Sequence, residues 1–166
     1  MEKDIIIIGG GPGGYVTAIR SAQLGAKVCL IEKSGIGGTC LHRGCIPTKA
    51  LYKNAEILNT LKHIEDFGIN VENYTLDVEK IHKRKQAIIE QLSNGINQLL
   101  KANNVEVING TATLKSQNTI EVCFKDGSFK EISCKKIIIA TGSRPAIPPI
   151  EGANDKDIYT SEDILN

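Results

Sequence analysis

The sequence predicts an α/β fold in which a parallel sheet carries a small inserted antiparallel β-meander. Three observations lead to this prediction. A strand-like run at residues 4–8, apolar from Ile5 to Ile8, ends in glycines, as expected for a strand buried on both faces of a parallel sheet. Helix-like and strand-like patterns then alternate as far as residue 108. Residues 111–135 change to the polar and apolar alternation of antiparallel strands.

The first 32 residues contain a complete βαβ pattern. A helix is predicted from about Gly13 to Gln23, Gly25 follows its end, and Lys27 to Glu32 form the second strand. The crossover between two parallel strands of one sheet is almost always right-handed. We therefore expect both strands to lie in the same sheet, with the helix packed on one face.

Two amphipathic helices and two more parallel strands are expected further along. Apolar residues recur at helical spacing from Leu51 to Ile64 and from Ile81 to Leu100. Val105 to Ile108 is the next apolar strand, and Lys136 to Thr141 forms the last one. Within the meander that separates them, Asp126-Gly127 is a strong hairpin signal. After several prolines, residues 151–166 are polar and show no strand pattern.

The length and net charge of the chain limit the classes of function that it can have. The chain has 166 residues and a formal net charge of +1, so one domain is expected and no strong field would attract nucleic acid or an anionic membrane. The apolar run from Ile5 to Ile8 is far shorter than the roughly 20 residues of a membrane span and lacks the features of a secretory signal. We expect a cytoplasmic protein whose partners are small molecules or proteins.

Cys40 and Cys45 are the only closely spaced cysteines. The other three have apolar or β-type neighbours and are expected to be buried free thiols in a reducing compartment: Cys29, Cys123 and Cys134. Three interpretations of the close pair stay open, namely a redox-active disulfide, a metal site and two independent buried thiols. A zinc site is disfavoured because C-x4-C with His42 offers at most three crowded ligands, and no metal is expected.

The spacing of the pair restricts its geometry. A disulfide needs Cα atoms within about 7 Å, but five residues of an ideal helix rise about 7.5 Å along the axis. A bridged pair therefore cannot lie in one regular helix. We expect Gly44 to make the backbone irregular there, and Pro47 to disfavour helical geometry at Ile46. A bridge over so short a loop adds little entropic stability and is more typically reducible than structural.

A glycine motif follows the first predicted strand. Gly9-x-Gly11-x-x-Gly14 lies between that strand and its helix, where the glycines permit a tight turn, close approach of a pyrophosphate and close helix packing. Glu32 ends the second strand and would accept a hydrogen bond from a ribose hydroxyl. This combination predicts a Rossmann-like dinucleotide site, although the glycines alone could serve only a tight turn. The pattern does not distinguish NAD from FAD.

The glycine motif, Glu32, "GGTCLHRGCIPTK" and "IIIATGSRP", in this order, resemble the pyridine nucleotide-disulfide oxidoreductases over the whole chain. The resemblance implies FAD in the first glycine motif, with Glu32 on the adenosine ribose. It also implies that Cys40 is the interchange thiol, that Cys45 faces the flavin ring and that Lys49 lies near the ring's reactive edge. Other implied cofactor contacts are Gly38, Thr39, Cys40, Ala112, Thr141 and Gly142.

Within this family, the match is closest to members that oxidise a protein-bound dihydrolipoyl dithiol and pass the electrons to NAD. The implied partner is a lipoyl-bearing protein of a 2-oxo acid dehydrogenase or glycine cleavage complex, and the implied assembly of the full-length enzyme is a homodimer. His42 stands where asparagine is usual and Thr48 where serine is usual. Two alternatives remain, another family member such as a mercuric reductase, and an FAD- or nucleotide-binding module without catalysis.

The family's second glycine motif does not occur in the sequence. We therefore expect an N-terminal fragment of a longer enzyme, unable to perform the full reaction alone. Residues 1–150 would form the N-terminal part of the FAD-binding domain, with the meander at about residues 111–135. Residues 151–166 would be a linker toward an NAD-binding domain outside this sequence.

Overall fold

The architecture comes from a computed structural model that describes residues 2–165. The strands are β1 (Lys3–Ile8), β2 (Val28–Glu32), β3 (Glu106–Asn109), β4 (Thr111–Leu114), β5 (Thr119–Cys123) and β6 (Phe129–Ile139). The helices are α1 (Pro12–Gln23), α2 (Gly38–Arg43), α3 (Cys45–Lys62) and α4 (Val78–Ala102). Short 3-10 helices span Ile64–Phe67 and Asp163–Leu165.

The strands form one mixed sheet in the order β3-β2-β1-β6-β5-β4. β1 pairs in parallel with β2 and with the second part of β6, and β2 pairs in parallel with β3. β4, β5 and the first part of β6 pair antiparallel. The predicted fold class, a parallel Rossmann-like sheet with an antiparallel meander, is therefore confirmed, and Asp126-Gly127 lies in the hairpin between β5 and β6.

β6 differs from its prediction. The sequence predicted a meander ending near residue 135 and a separate strand from Lys136 to Thr141, but one strand runs without interruption from Phe129 to Ile139. Its first residues pair with β5, and its later residues pair with β1. No glycine, proline, asparagine or aspartate occurs in this stretch, so nothing in it favours a turn. The strand instead ends before Thr141.

The core has two layers, one on each face of the parallel strands. Ile7 faces the helices, where it packs with Ala18 of α1 and Leu100 of α4. Ile6 faces the opposite way and shares a cluster with Ile120 of the meander. Successive residues of a strand point to opposite faces, and both isoleucines are fully buried. Burial of each such side chain contributes about 1.5–3 kcal/mol, so the apolar run of β1 holds both layers on the sheet.

The carboxyl ends of the central strands meet at one edge of the sheet. There the Gly9 N–H donates to the Ile31 carbonyl at 2.8 Å, and the Ala140 N–H donates to the Ile8 carbonyl at 2.8 Å. In open α/β sheets, ligands bind beyond this edge. Among residues 2–165, no helix is both long and apolar enough to cross a membrane.

Candidate functional site

A cavity of about 1140 Å³ lies at the carboxyl edge of the parallel strands. The turn between β1 and α1, here named the glycine turn (residues 9–14), forms one side of it together with the end of β2. The α2 helix and the segment leading into it form another side. The residues of these two sides that the sequence singled out are Gly9, Gly11, Glu32, Gly38, Thr39 and Cys40.

Close backbone contacts determine the shape of the glycine turn. Gly9 has φ +107°, and a Cβ there would lie 2.2 Å from the Ala140 carbonyl oxygen. A Cβ at Gly14 would lie 1.7 Å from the Gly9 carbonyl oxygen. Gly14 is buried and does not line the cavity, because it packs α1 against the end of β1.

Gly11 has a different environment. The nearest atom to a Cβ at this position would be the Gly38 Cα, 3.6 Å away, so the backbone of Gly11 borders the cavity. Gly11 is also the N-cap of α1, and Pro12 is the first helical residue. Because the N-cap has no side chain, the positive end of the helix is available to an anion in the cavity.

Glu32 connects the end of β2 to the glycine turn. One carboxylate oxygen accepts from the Gly10 N–H at 2.6 Å, and the other accepts from the Ser34 N–H at 2.7 Å. A carboxylate offers about four acceptor positions, so two hydrogen bonds orient Glu32 and leave capacity for a ligand. The side chain borders the cavity.

Cys40 and Cys45 lie on two successive helices, and we name residues 40–45 the cysteine turn. Cys40 is in α2, Cys45 is the first residue of α3, and Gly44 interrupts the helix between them with φ −150° and ψ −113°. The irregular backbone expected at Gly44 is therefore present. The expectation for Ile46 was wrong, because it is helical. Pro47 lies in the first turn of α3, where a helix does not need the missing N–H.

Both cysteines of the turn are free thiols in the structure, and they interact. A hydrogen bond between the Cys40 and Cys45 side chains, followed by burial, raises the pKa of Cys40 above its ordinary value. The Cys45 backbone N–H and the positive charge of Lys49 lower the pKa of Cys40 by smaller amounts. The thiols are thus adjacent, as a pair that exchanges between dithiol and disulfide requires.

The two thiols differ in position. Cys40 borders the large cavity, whereas Cys45 is more exposed and is not among the cavity residues. Lys49 lies in α3, one helical turn after Cys45, and is exposed. It acts on Cys40 through its charge but does not line the cavity. The roles assigned to these residues by resemblance stay predictions.

The opposite side of the cavity comes from the meander and from the segment after β6. Ala112 lies in β4, while Thr141 and Gly142 follow the last residue of β6. All three border the cavity. The structure therefore brings together residues more than 100 positions apart in the sequence. Their contacts with a cofactor stay predictions.

Several cavity residues carried no signal in the sequence. Gln86 and Ile89 reach the cavity from α4, and Arg43 reaches it from α2. Helical periodicity placed Ile89 on an apolar face but could not indicate which surface that face covers. Arg43 was quoted with the cysteine segment, and its position between the two cysteines was the one available clue.

The remaining cysteines are separate from the site. Cys29 and Cys134 are buried in the core, as expected, while Cys123 is only partly buried. Burial raises the pKa of Cys29 to about 12. Among the residues that the structure describes, no group of three or more His, Cys, Asp or Glu side chains is placed to hold a metal ion.

The sheet, the cavity and the paired thiols define an α/β protein with a large cavity at the carboxyl edge of its parallel strands and a thiol pair beside that cavity. Comparison with protein families matches residues 3–166 to the family described as pyridine nucleotide-disulphide oxidoreductase. The chain belongs to this family, and the resemblance given by its motifs is confirmed.

Within this family, the chain is similar to several curated dihydrolipoyl dehydrogenases. The chain is 47% identical over 170 residues to a dihydrolipoyl dehydrogenase of Acholeplasma laidlawii, which covers 99% of the chain and 49% of that relative. It is 41% identical to a dihydrolipoyl dehydrogenase of Bacillus subtilis strain 168 over 99% of the chain and 36% of the relative. A dihydrolipoyl dehydrogenase of Chlorobaculum tepidum is 42% identical. The chain thus spans between about a third and a half of the length of these relatives.

Proposed function

We propose that the chain forms the FAD-binding, dithiol-bearing part of an enzyme that oxidises a protein-bound dihydrolipoyl group and passes the electrons to NAD. The observation that carries this proposal is the common position of the glycine turn, Glu32 and Cys40 around one cavity, with Cys45 in contact with Cys40. The names of the curated relatives support the substrate class. They also favour this activity over that of a mercuric reductase.

The cavity is suited to FAD. Its volume of about 1140 Å³ exceeds the roughly 300–1,000 Å³ of ordinary small-molecule sites, as a dinucleotide requires. The N-terminus of α1 would hold the pyrophosphate, and Glu32 would accept from the adenosine ribose. The far end of the cavity reaches Cys40. When bound, FAD supplies two-electron chemistry that links a dithiol to a nicotinamide.

The chain's own residues would perform the thiol chemistry. In the oxidised enzyme, a substrate thiolate attacks the Cys40 sulfur of the Cys40–Cys45 disulfide, which forms a mixed disulfide and releases Cys45 as a thiolate. The second substrate thiol gives its proton to solvent and attacks the first substrate sulfur in the mixed disulfide, and the bond to Cys40 breaks to release Cys40 as a thiolate. The substrate leaves as a disulfide, and both cysteines are left reduced, so electrons balance. The positive charge of Lys49 favours the Cys40 thiolate.

The proposal extends to the whole enzyme. The lipoyl group would belong to a protein of a 2-oxo acid dehydrogenase or glycine cleavage complex, and the full-length enzyme would act as a cytoplasmic homodimer. Residues 151–166 would lead toward the NAD-binding domain.

Thiol counting tests the proposal directly. The purified protein is reduced, mildly oxidised, and then alkylated in denaturant so that buried thiols also react, and the modified cysteines are counted by mass spectrometry. We expect two of the five cysteines to become protected together, and C40S or C45S to abolish that protection. C123S provides the control, because Cys123 lies in β5 away from the cysteine turn. Five alkylated cysteines after oxidation would overturn the proposal.

A spectroscopic experiment separates catalysis from simple nucleotide binding. The protein purified with its flavin should be yellow, and reduced lipoamide should change its absorbance in the wild type but not in C40S. A flavin spectrum unaffected by the dithiol would support a binding module without redox chemistry.

A further inference from the structure

Two side chains inside the cysteine turn bind other parts of the fold. They are His42 and Arg43, the residues between the two cysteines in α2. The proposed chemistry uses neither of them. Each makes a polar contact outside the turn, His42 with Ile36 and Arg43 with Glu162, so the cysteine turn is attached to the rest of the molecule at two points.

Arg43 binds the end of the described chain. Its guanidinium donates to a Glu162 carboxylate oxygen at 2.9 Å, across 119 positions of sequence. The Glu162 side chain is 17% exposed, so this ion pair is screened less than a fully exposed one. Arg43 also borders the cavity.

The segment that carries Glu162 is itself held in place. Lys85 is buried in α4, with 6% exposure, and its ammonium donates to the Leu165 carbonyl at 2.5 Å. At the start of the segment, the Thr160 N–H and hydroxyl both donate to the Asp163 carboxylate, at 2.8 and 2.6 Å. Glu162 therefore lies in a local turn that is attached to α4 through Leu165, and Arg43 is bound to an anchored partner.

His42 attaches the turn at a second point. Its Nε2 lies 2.9 Å from the Ile36 carbonyl oxygen, which also accepts from the Ser93 hydroxyl at 3.0 Å. Because a carbonyl only accepts, Nε2 is the donor. Next to Ile36, the Gly37 N–H donates to the Gly10 carbonyl at 2.8 Å. His42 thus connects the cysteine turn to α4 and to the glycine turn.

We propose that His42 and Arg43 are positioning residues that hold the Cys40 and Cys45 sulfurs at a separation from which a disulfide can close. The two thiols lie on different helices, and only Gly44 joins those helices. Closing so short a loop costs little entropy, so the stability of the bridge depends mainly on how well the turn preserves the required geometry. The contacts of His42 with the Ile36 carbonyl and of Arg43 with Glu162 would supply that restraint. The inference rests on the proposed redox role of the pair.

The redox equilibrium of the pair tests the Arg43 contact. The full-length protein with its flavin is equilibrated in glutathione buffers of graded ratio, and the Cys40–Cys45 disulfide fraction is measured by alkylation and mass spectrometry. We expect R43Q and E162Q each to destabilise the disulfide about threefold to tenfold, as expected for loss of a partly buried ion pair. R43Q/E162Q should shift it no further than either single variant, since both remove one interaction. R43K should recover part of the loss.

Matched variants separate positioning from general damage. K53Q removes an exposed ion pair with Glu56 in α3 and should leave the disulfide equilibrium unchanged. H42A should destabilise the disulfide, whereas H42N, which keeps an N–H donor, should recover most of the wild-type equilibrium. Urea unfolding of every variant shows whether a shift in the equilibrium merely follows lost stability.

The outcomes are distinguishable. If the wild type forms the Cys40–Cys45 disulfide and R43Q, E162Q and H42A keep its equilibrium constant, the positioning role is wrong and the proposed function stands. Shifts that are fully additive in R43Q/E162Q would also contradict a shared contact. If the wild type never forms the disulfide at any glutathione ratio, the proposed function itself fails.

Discussion

The glycine turn and the cysteine turn border the same cavity but are held in different ways. The glycine turn is restrained by backbone atoms, since a Cβ at Gly14 would lie 1.7 Å from the Gly9 carbonyl oxygen. The cysteine turn joins two helices at Gly44, and its lateral contacts are made by the side chains of His42 and Arg43.

This difference corresponds to the two tasks proposed for the site. A turn that holds a pyrophosphate benefits from a rigid backbone, because fixed N–H groups need no reorganisation on binding. A thiol pair that alternates between dithiol and disulfide must accommodate two sulfur separations. Side-chain contacts can adjust to such a change, whereas colliding backbone atoms cannot.

The largest expected effect is on the glycine turn. Gly14→Ala should lower the free energy of unfolding by more than about 3 kcal/mol, because the new methyl group meets a backbone carbonyl that cannot move independently. Gly13→Ala is the matched control, since the nearest atom to its Cβ would be 4.0 Å away, and it should be neutral or slightly stabilising. Urea titration measures both, and equal stability of the two variants would contradict the close packing described here.

Cofactor affinity should depend on Glu32 more than on Cys40. Glu32→Gln removes the charge and places an amide N–H₂ against one of two backbone N–H donors, so the FAD dissociation constant should rise more than about tenfold. Cys40→Ser, which changes one atom at the edge of the cavity, should alter it less than about twofold. Fluorescence titration of FAD gives both values, with Glu56→Gln as the surface control. Equal losses in E32Q and C40S would refute the ribose assignment.

The reactivity of Cys40 should respond in opposite directions to its two neighbours. Cys45→Ala removes the hydrogen bond that chiefly raises the pKa of Cys40. The thiolate fraction at pH 8 should therefore increase, and iodoacetamide should react faster. Lys49→Met removes a charge that lowers the pKa of Cys40, so the reaction should slow.

The pH dependence of alkylation shows whether the Cys40 pKa moves in the predicted direction in each variant. The midpoint of the Cys40 rate profile should move to lower pH in C45A and to higher pH in K49M, with K53M as a control on the same helix. Shifts of the same sign in C45A and K49M would show that these variants act through general unfolding.

The smallest effect is expected at the buried cysteine of β2. Cys29 is fully buried, and burial raises its pKa to about 12, so alkylation at pH 8 should be undetectable in the native protein. Mass spectrometry in native buffer and in denaturant provides the measurement. Labelling of native Cys29 at the rate of Cys40 would be incompatible with a closed core on this face of the sheet.

Most of the fold was predictable, because apolar periodicity reports directly on strands and helices. The errors have local physical causes. β6 was divided into two strands because its pairing partner changes midway, and no single sequence signal reports which neighbour a strand has. Ile46 was expected outside a helix because it precedes Pro47, but the helix begins at Cys45, where the first turn tolerates proline.

The sequence by itself determined the βαβ unit, the glycine turn and a close pair of cysteines that cannot lie in one regular helix if they are bridged. These features depend on neighbouring residues, through steric limits on the backbone and the period of the side chains. Only the tertiary structure decided that Arg43 meets Glu162, that Gln86 and Ile89 reach the cavity, and that the meander covers one face of the sheet. Such contacts join positions up to 119 residues apart, and their pairing follows from how the layers pack.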